Sequence, residues 1–145
     1  MSVDLSKYYA QRYRLFSRYD DGIQLDRVGW FSATPELIAQ HQAQRMLRAC
    51  KRTDEAHCIV FVDAFAGTGS NAIQLALLDA NVRVIAVESS AERLRMAQHN
   101  AAIYGAADRI QFVHGDFVQL LRGDTAWLQL AANETVGGVF LSPPW

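Results

Sequence analysis

Cys58-Ile-Val-Phe-Val-Asp63-Ala-Phe-Ala-Gly67-Thr-Gly69-Ser-Asn71 is the stretch on which the fold turns. Its first half is a short apolar run rich in β-branched residues, the pattern of a strand buried on both faces. An acidic residue ends the run. Two glycines follow at once, where a backbone can pass close to a ligand with no Cβ in the way. A helical pattern then runs from about Ser70 to Leu78.

The same alternation repeats downstream. Val82 to Val87 reads as a second buried strand ending at Glu88, and a helix covers about Ala91 to Tyr104 with Gly105 as its stop. Ile110 to His114 is a third strand, closing on Gly115-Asp116, followed by a helix from Phe117 to about Leu130. Val136 to Leu141 is a fourth strand, and it ends at Ser142-Pro143-Pro144-Trp145. The segment from Arg122 to Thr135 is longer than such a connection needs, and the pattern assigns it nothing further. Upstream, Thr34 reads as an N-cap with Pro35 at the first helical position, opening a helix to about Arg52. Strands alternating with helices predict an α/β fold with a parallel sheet and right-handed crossovers. The expected order is 3-2-1-4, with a ligand crevice at the carboxyl ends where the order reverses.

Composition narrows the classes. Half of the 145 residues are hydrophobic, a fifth are charged, and the net charge is −1. That describes a packed domain without a bulk basic field, so any nucleic-acid site has to be local. No apolar run approaches the roughly 20 residues that span a bilayer, and the N-terminus lacks an apolar signal core. Cys50 and Cys58 have no metal-ligand spacing and read as reduced thiols. His41, His57, His99 and His114 form no triad or metal pattern; no metal is expected.

Three acids sit just beyond three successive strand ends: Asp63, Glu88 and Asp116. Glu88 falls where a carboxylate accepts the ribose hydroxyls of a nucleoside. Asp116 can accept from an adenine amino group, with Phe117 against the ring. A dinucleotide is the rival ligand, but Ala72 holds the last position of the full G-x-G-x-x-G. An acid at the mouth of the glycine loop also repels a pyrophosphate, which favours the amino-acid end of S-adenosylmethionine. Ser142-Pro-Pro-Trp145 closes the fourth strand at the same crevice. Prolines stiffen the turn, so a main-chain carbonyl and the Ser142 hydroxyl can hold an amino group. Catalysis there is positioning, and Trp145 offers a stacking face for a base.

Several blocks together resemble the trimethylguanosine synthase family, the RNA cap guanosine-N2 methyltransferases. They are Lys7 to Gly22, Leu25-Asp26-Arg27, Gly29 to Ser32, Thr34-Pro35-Glu36, Asp63-Ala-Phe65 with Gly67 and Asn71, and Phe140 to Trp145. The likeness covers nearly the whole chain. It implies a Rossmann-like methyltransferase domain over residues 35–145, behind an N-terminal extension over 1–34 that covers the cofactor and cap sites. It also implies an enzyme that methylates the 2-amino group of a 7-methylguanosine cap, on small nuclear and nucleolar RNA in the nucleus. By that resemblance Phe16, Thr34, Asp63, Phe65, Gly67, Gly69, Asn71, Glu88, Asp116 and Phe117 meet S-adenosylmethionine. Lys7 meets the cap phosphates, Asn100 helps bind the cap, Ser142 and Pro143 hold the amino group, and Trp145 stacks on the 7-methylguanine. Position 66 is Ala where the family has Cys, 70 is Ser where it has Gly, and Glu88 stands for Asp. The family continues with further strands beyond the counterpart of Trp145, so the expectation is a truncated chain that binds cofactor weakly. Two other readings stay open: an amine methyltransferase for another nucleobase, and a non-catalytic cap-binding module. Arg12, Arg14 and Arg18 interleave with aromatics in a way that suits RNA, and suits ion pairs to Asp20, Asp21 and Asp26 as well.

Overall fold

A computed structural model describes residues 4–50 and 57–143. Two short helices, α1 (Ser6–Tyr9) and α2 (Arg12–Leu15), lead through a 3-10 turn at Tyr19–Asp21 to α3 (Arg27–Ser32) and α4 (Glu36–Ala49). The alternating part follows: β1 (Cys58–Asp63), α5 (Ser70–Ala76), β2 (Val82–Glu88), α6 (Ala91–Ile103), β3 (Ile110–His114), α7 (Phe117–Arg122) and β4 (Glu134–Phe140). All pairings are parallel and the order is β3-β2-β1-β4, as the alternation predicts. The carboxyl ends of all four strands therefore open on one edge.

The sheet has two unequal faces. Ile59, Phe61, Val82, Val84 and Ala86 meet Ala43, Ile73 and Leu75 of α4 and α5 in the larger core, which also takes in Phe16 and Ile23. Val60, Val62, Ile85 and Val87 form the smaller core with Phe117, against which Leu120, Trp127 and Leu128 pack. At β4 the register slips by one: Val60 faces Val136 but Phe61 faces Gly138, leaving Gly137 as the extra residue of a bulge. A Cβ there would lie 2.5 Å from Ile59 Cγ2 and 2.8 Å from Cys50 Sγ, so only glycine lets the α4 end and β1 close on it.

Three local expectations are corrected. The helix after β3 stops at Arg122 rather than Leu130, because Gly123 and Asp124 break it. Asp124 then caps a 3-10 turn at Thr125–Leu128, which folds Trp127 and Leu128 back onto the sheet. β4 starts at Glu134, earlier than Val136, since Arg83 on β2 grips both Glu134 carboxylate oxygens at 2.7 Å. Thr34 is not a cap: Pro35 takes the boundary position of α4, and the Thr34 hydroxyl donates to Asn71 Oδ1 at 2.7 Å. The helix it opens ends at Ala49, and Arg52 lies outside the described residues.

The N-terminal segment is stitched to this body. Glu36 accepts from the Ser17 amide and hydroxyl and from the Tyr104 hydroxyl. Burial, then the Glu36 bond, pushes Tyr104 up to about 12, so this link stays protonated at neutral pH. Arg18 pairs through Nε with Asp21 and donates from Nη1 to the Ile103 carbonyl. Arg12 lies between the rings of Tyr9 and Tyr13, each 4.4 Å from its guanidinium.

Candidate cofactor and substrate site

A cavity sits at the carboxyl ends of the strands. Its floor is the loop after β1, with Phe65, Gly67 and Thr68; α5 adds Ser70 and Asn71. Glu88 and Arg93 form one side, and Asp116, Phe117, Ser142 and Pro143 the other. Val28, Ser32 and Thr34 of the N-terminal segment close the remaining wall. Nine of the residues singled out in the sequence thus meet around one hollow: Thr34, Phe65, Gly67, Asn71, Glu88, Asp116, Phe117, Ser142 and Pro143.

The loop is held by short bonds. Ala66 N–H donates to Val87 O at 2.9 Å, tying it to β2. Gly67 adopts φ 55°, a left-handed backbone that favours glycine, and no atom lies within 4 Å of where its Cβ would stand. Its N–H donates to Glu88 Oε2 at 2.8 Å. Glu88 Oε1 accepts from the Ser90 amide at 2.9 Å and from Arg93 at 3.3 Å. The longer glutamate thus reaches back to brace the glycine loop. Oε1 is saturated and Oε2 keeps one lone-pair site, so a ribose pair would share these oxygens with their present donors. Arg93 also reaches Asp26 Oδ2 at 3.4 Å, and Asp26 Oδ1 caps α3 through Gly29 N–H at 2.7 Å. Arg93 therefore joins the acid ending β2 to the N-terminal wall.

Asp63 lies under the loop rather than at its mouth. It is 1% exposed and does not line the cavity. Its Oδ1 accepts weakly from Phe65 N–H at 3.4 Å, and Oδ2 has no partner at hydrogen-bond geometry. Burial pushes this carboxyl up to about 7, with nearby Glu88 adding to the rise and the amides of Phe65 and Ala72 opposing it. Asp116 is exposed; its Oδ1 caps α7 through Gln119 N–H at 3.0 Å, which leaves Oδ2 to accept. Phe117 meets Phe65 edge-on at 6.2 Å and Trp127 at 6.1 Å, an apolar corner beside that acid.

Other expected contacts lie elsewhere. Phe16 is 2% exposed within the larger core, its ring 6.3 Å from Tyr104, because an apolar ring there gains more from the core than from an open cavity. Gly69 caps α5 in a left-handed conformation and packs on Ala97, where a Cβ would come within 3.3 Å. Asn100 is fully buried, with both ends of its amide bonded to backbone. Lys7 is exposed and its ammonium lies 4.9 Å over the Tyr8 ring, away from the cavity lining. Trp145, the stacking residue, lies outside the described residues. Arg93, Val28 and Ser32 also line the cavity, unanticipated from the sequence. The 28/32 pair carried a signal, the i, i+4 spacing that puts both on one helix face; Arg93 carried none. Among the described residues no His, Cys, Asp and Glu cluster could hold a metal, and no helix is long and apolar enough to cross a membrane.

Residues 58–145 match the family described as RNA cap guanine-N2 methyltransferase. The chain is 38% identical over 142 residues to the trimethylguanosine synthase of Schizosaccharomyces pombe, covering 97% of this chain and 54% of that protein. It is 35% identical over 142 residues to the enzyme of the same name from Saccharomyces cerevisiae, covering 97% of this chain and 41% of that one. The chain thus spans about half the length of the curated relatives it matches. Among solved structures it resembles the human methyltransferase 10 domain containing protein, with TM-score 0.59 and 17% identity over 91% of this chain and 60% of that one, a likeness of fold.

Proposed function

This chain belongs to the RNA cap guanine-N2 methyltransferase family, and on that premise we propose that its cavity binds S-adenosylmethionine for methylation of the 2-amino group of a 7-methylguanosine RNA cap. The observation that carries the reading is the convergence of the glycine loop, Glu88, the Asp116–Phe117 corner and Ser142–Pro143 on one cavity.

The residues present fit such a cofactor. Glu88 Oε2 keeps an acceptor site beside the glycine loop for a ribose hydroxyl. Asp116 Oδ2 can take an adenine amino group, with Phe117 and Phe65 supplying the apolar corner. When bound, S-adenosylmethionine supplies an electrophilic sulfonium methyl. The protein's own task is to hold the amino group. Pro143 stiffens the end of β4, so the Ser142 hydroxyl and the main-chain carbonyls beside it accept the N–H bonds and aim the nitrogen lone pair. Trp145 would stack on the purine, more strongly when 7-methylation makes the ring cationic. Lys7 would steer the cap phosphates, and Val28, Ser32 and Thr34 shut water from the reacting pair. The RNA would be small nuclear and nucleolar, and the site of action the nucleus.

The test is methyl transfer from labelled S-adenosylmethionine to cap dinucleotides with and without the 7-methyl group. Transfer to the 2-amino group of the methylated cap alone is expected. Equal transfer to both, or to adenine, would contradict the reading.

A further inference from the structure

Asn100 is a polar side chain with no exposure at all, in the middle of α6, and the proposed chemistry does not use it. Its Oδ1 accepts from Gln24 N–H at 2.8 Å, and its Nδ2 donates to Gln24 O and to Thr68 O, both at 2.9 Å. Gln24 belongs to the N-terminal segment just before α3, and Thr68 to the glycine loop between Gly67 and Gly69. One carboxamide therefore joins two pieces of chain that share no strand or helix. Three residues back on the same helix face, Ala97 supports Gly69, whose Cβ would come within 3.3 Å of it. From above, Gly29 of α3 presses on Thr68: a Cβ at 29 would stand 3.1 Å from Thr68 Cγ2. The loop is clasped between α6 and α3, and Asn100 closes the clasp.

We propose that Asn100 is a positioning residue that fixes the N-terminal segment and the glycine loop as one unit, and so sets cofactor affinity without touching the cofactor. The inference rests on reading the cavity as a cofactor site. Only a carboxamide fits the demand for two donors and one acceptor at this spot. Aspartate keeps the acceptor for Gln24 N–H and sets a carboxylate against two carbonyls. Alanine leaves one amide and two carbonyls without their partner, each a costly loss when out of water.

The experiment measures S-adenosylhomocysteine affinity by calorimetry and ligand-free amide hydrogen exchange for the wild type, Asn100→Ala and Asn100→Asp, with thermal unfolding to check that each is folded. Both variants are expected to bind about tenfold or more weakly, the loss of one to two buried hydrogen bonds. In Asn100→Ala, exchange should speed up at Gln24 and across residues 67–70 together. In Asn100→Asp, the Gln24 amide should stay protected while the loop loosens, and this variant carries the test if the alanine protein does not fold. A lowered melting temperature with unchanged affinity and an unchanged loop would overturn the proposal. So would acceleration at Gln24 alone. If the wild type itself fails to bind S-adenosylhomocysteine, the reading of the cavity falls, while the exchange at the two ends still decides whether Asn100 joins them.

Discussion

On one face of the sheet, Phe61, Val84 and Ala86 are wholly shut from solvent beneath α4, α5 and the N-terminal segment. On the other, Val60 and Ile85 are equally buried, yet β4 and the residue just past it are open: Val136 is 37% exposed, Val139 44% and Leu141 61%. Register shows that Val136 and Val139 stand beside Val60 and Val62, so one face passes from packed to bare within a single strand spacing. The short α7 and the 3-10 turn behind it reach over β2 and β3 but leave Val118 and Leu121 exposed as well. The difference shows that the cavity draws on both faces: Phe65 and Phe117 belong with the smaller core, while the N-terminal wall is backed by the larger one. Ser142 and Pro143 reach it from the end of β4, the less covered strand.

The largest expected effect lies in the packed core. Phe61→Ala should cost about 3–5 kcal/mol, as expected for a large ring removed from a close-packed core, measured by denaturant unfolding. A cost similar to that of Val139→Ala, expected within about 0.5 kcal/mol, would erase the distinction between the faces.

Asp63 lies on the packed face of β1 with Phe61, and it tests the same packing by charge. Its folded-state value of about 7 stands above the ordinary 3.8. Below about pH 4 both folded and unfolded chains hold the proton, and the contribution is fully present. As pH rises toward 7 the unfolded chain releases its proton while the folded one keeps it, so stability declines, and the loss is complete above 7. The slope should be on the order of 1 kcal/mol per pH unit across that window. Asp63→Asn should flatten it, as followed by melting temperature against pH. A slope identical in both proteins would show that Asp63 ionises normally.

Gly137→Ala should cost roughly 1–3 kcal/mol, since its Cβ would collide with Ile59 and Cys50. A neutral result would mean that the bulge on β4 relaxes freely. Smallest is Val139→Lys on the bare face. It should move stability by no more than about 0.5 kcal/mol and raise the concentration at which the protein aggregates.

The sheet was largely legible in the sequence because its signals are local. β1, β2 and β3 begin and end within a residue of where the apolar runs do, and the acids that close them fall at the strand ends. Gly67, Glu88, Asp116 and Ser142 could be placed at one crevice for the same reason. What escaped the sequence depends on partners far along the chain. Thr34 looks like a cap until Asn71, 37 positions away, takes its hydroxyl. Asn100 is expected at the cap until Gln24, 76 positions earlier, meets both ends of its amide. Phe16 reads as a lid and lies in the core. Arg83 and Glu134, on strands that do not touch each other, set where β4 starts. Spacing reports periodicity; it does not report which distant backbone groups still need a donor.

Hydrogen exchange with and without S-adenosylhomocysteine tests the central claim most directly. Protection is expected in three separate stretches at once: residues 64–70 of the glycine loop, 115–117 after β3, and 28–34 of the N-terminal wall. Binding that leaves these amides unchanged, or that protects the bare face around Val139 and Leu121 instead, would contradict it.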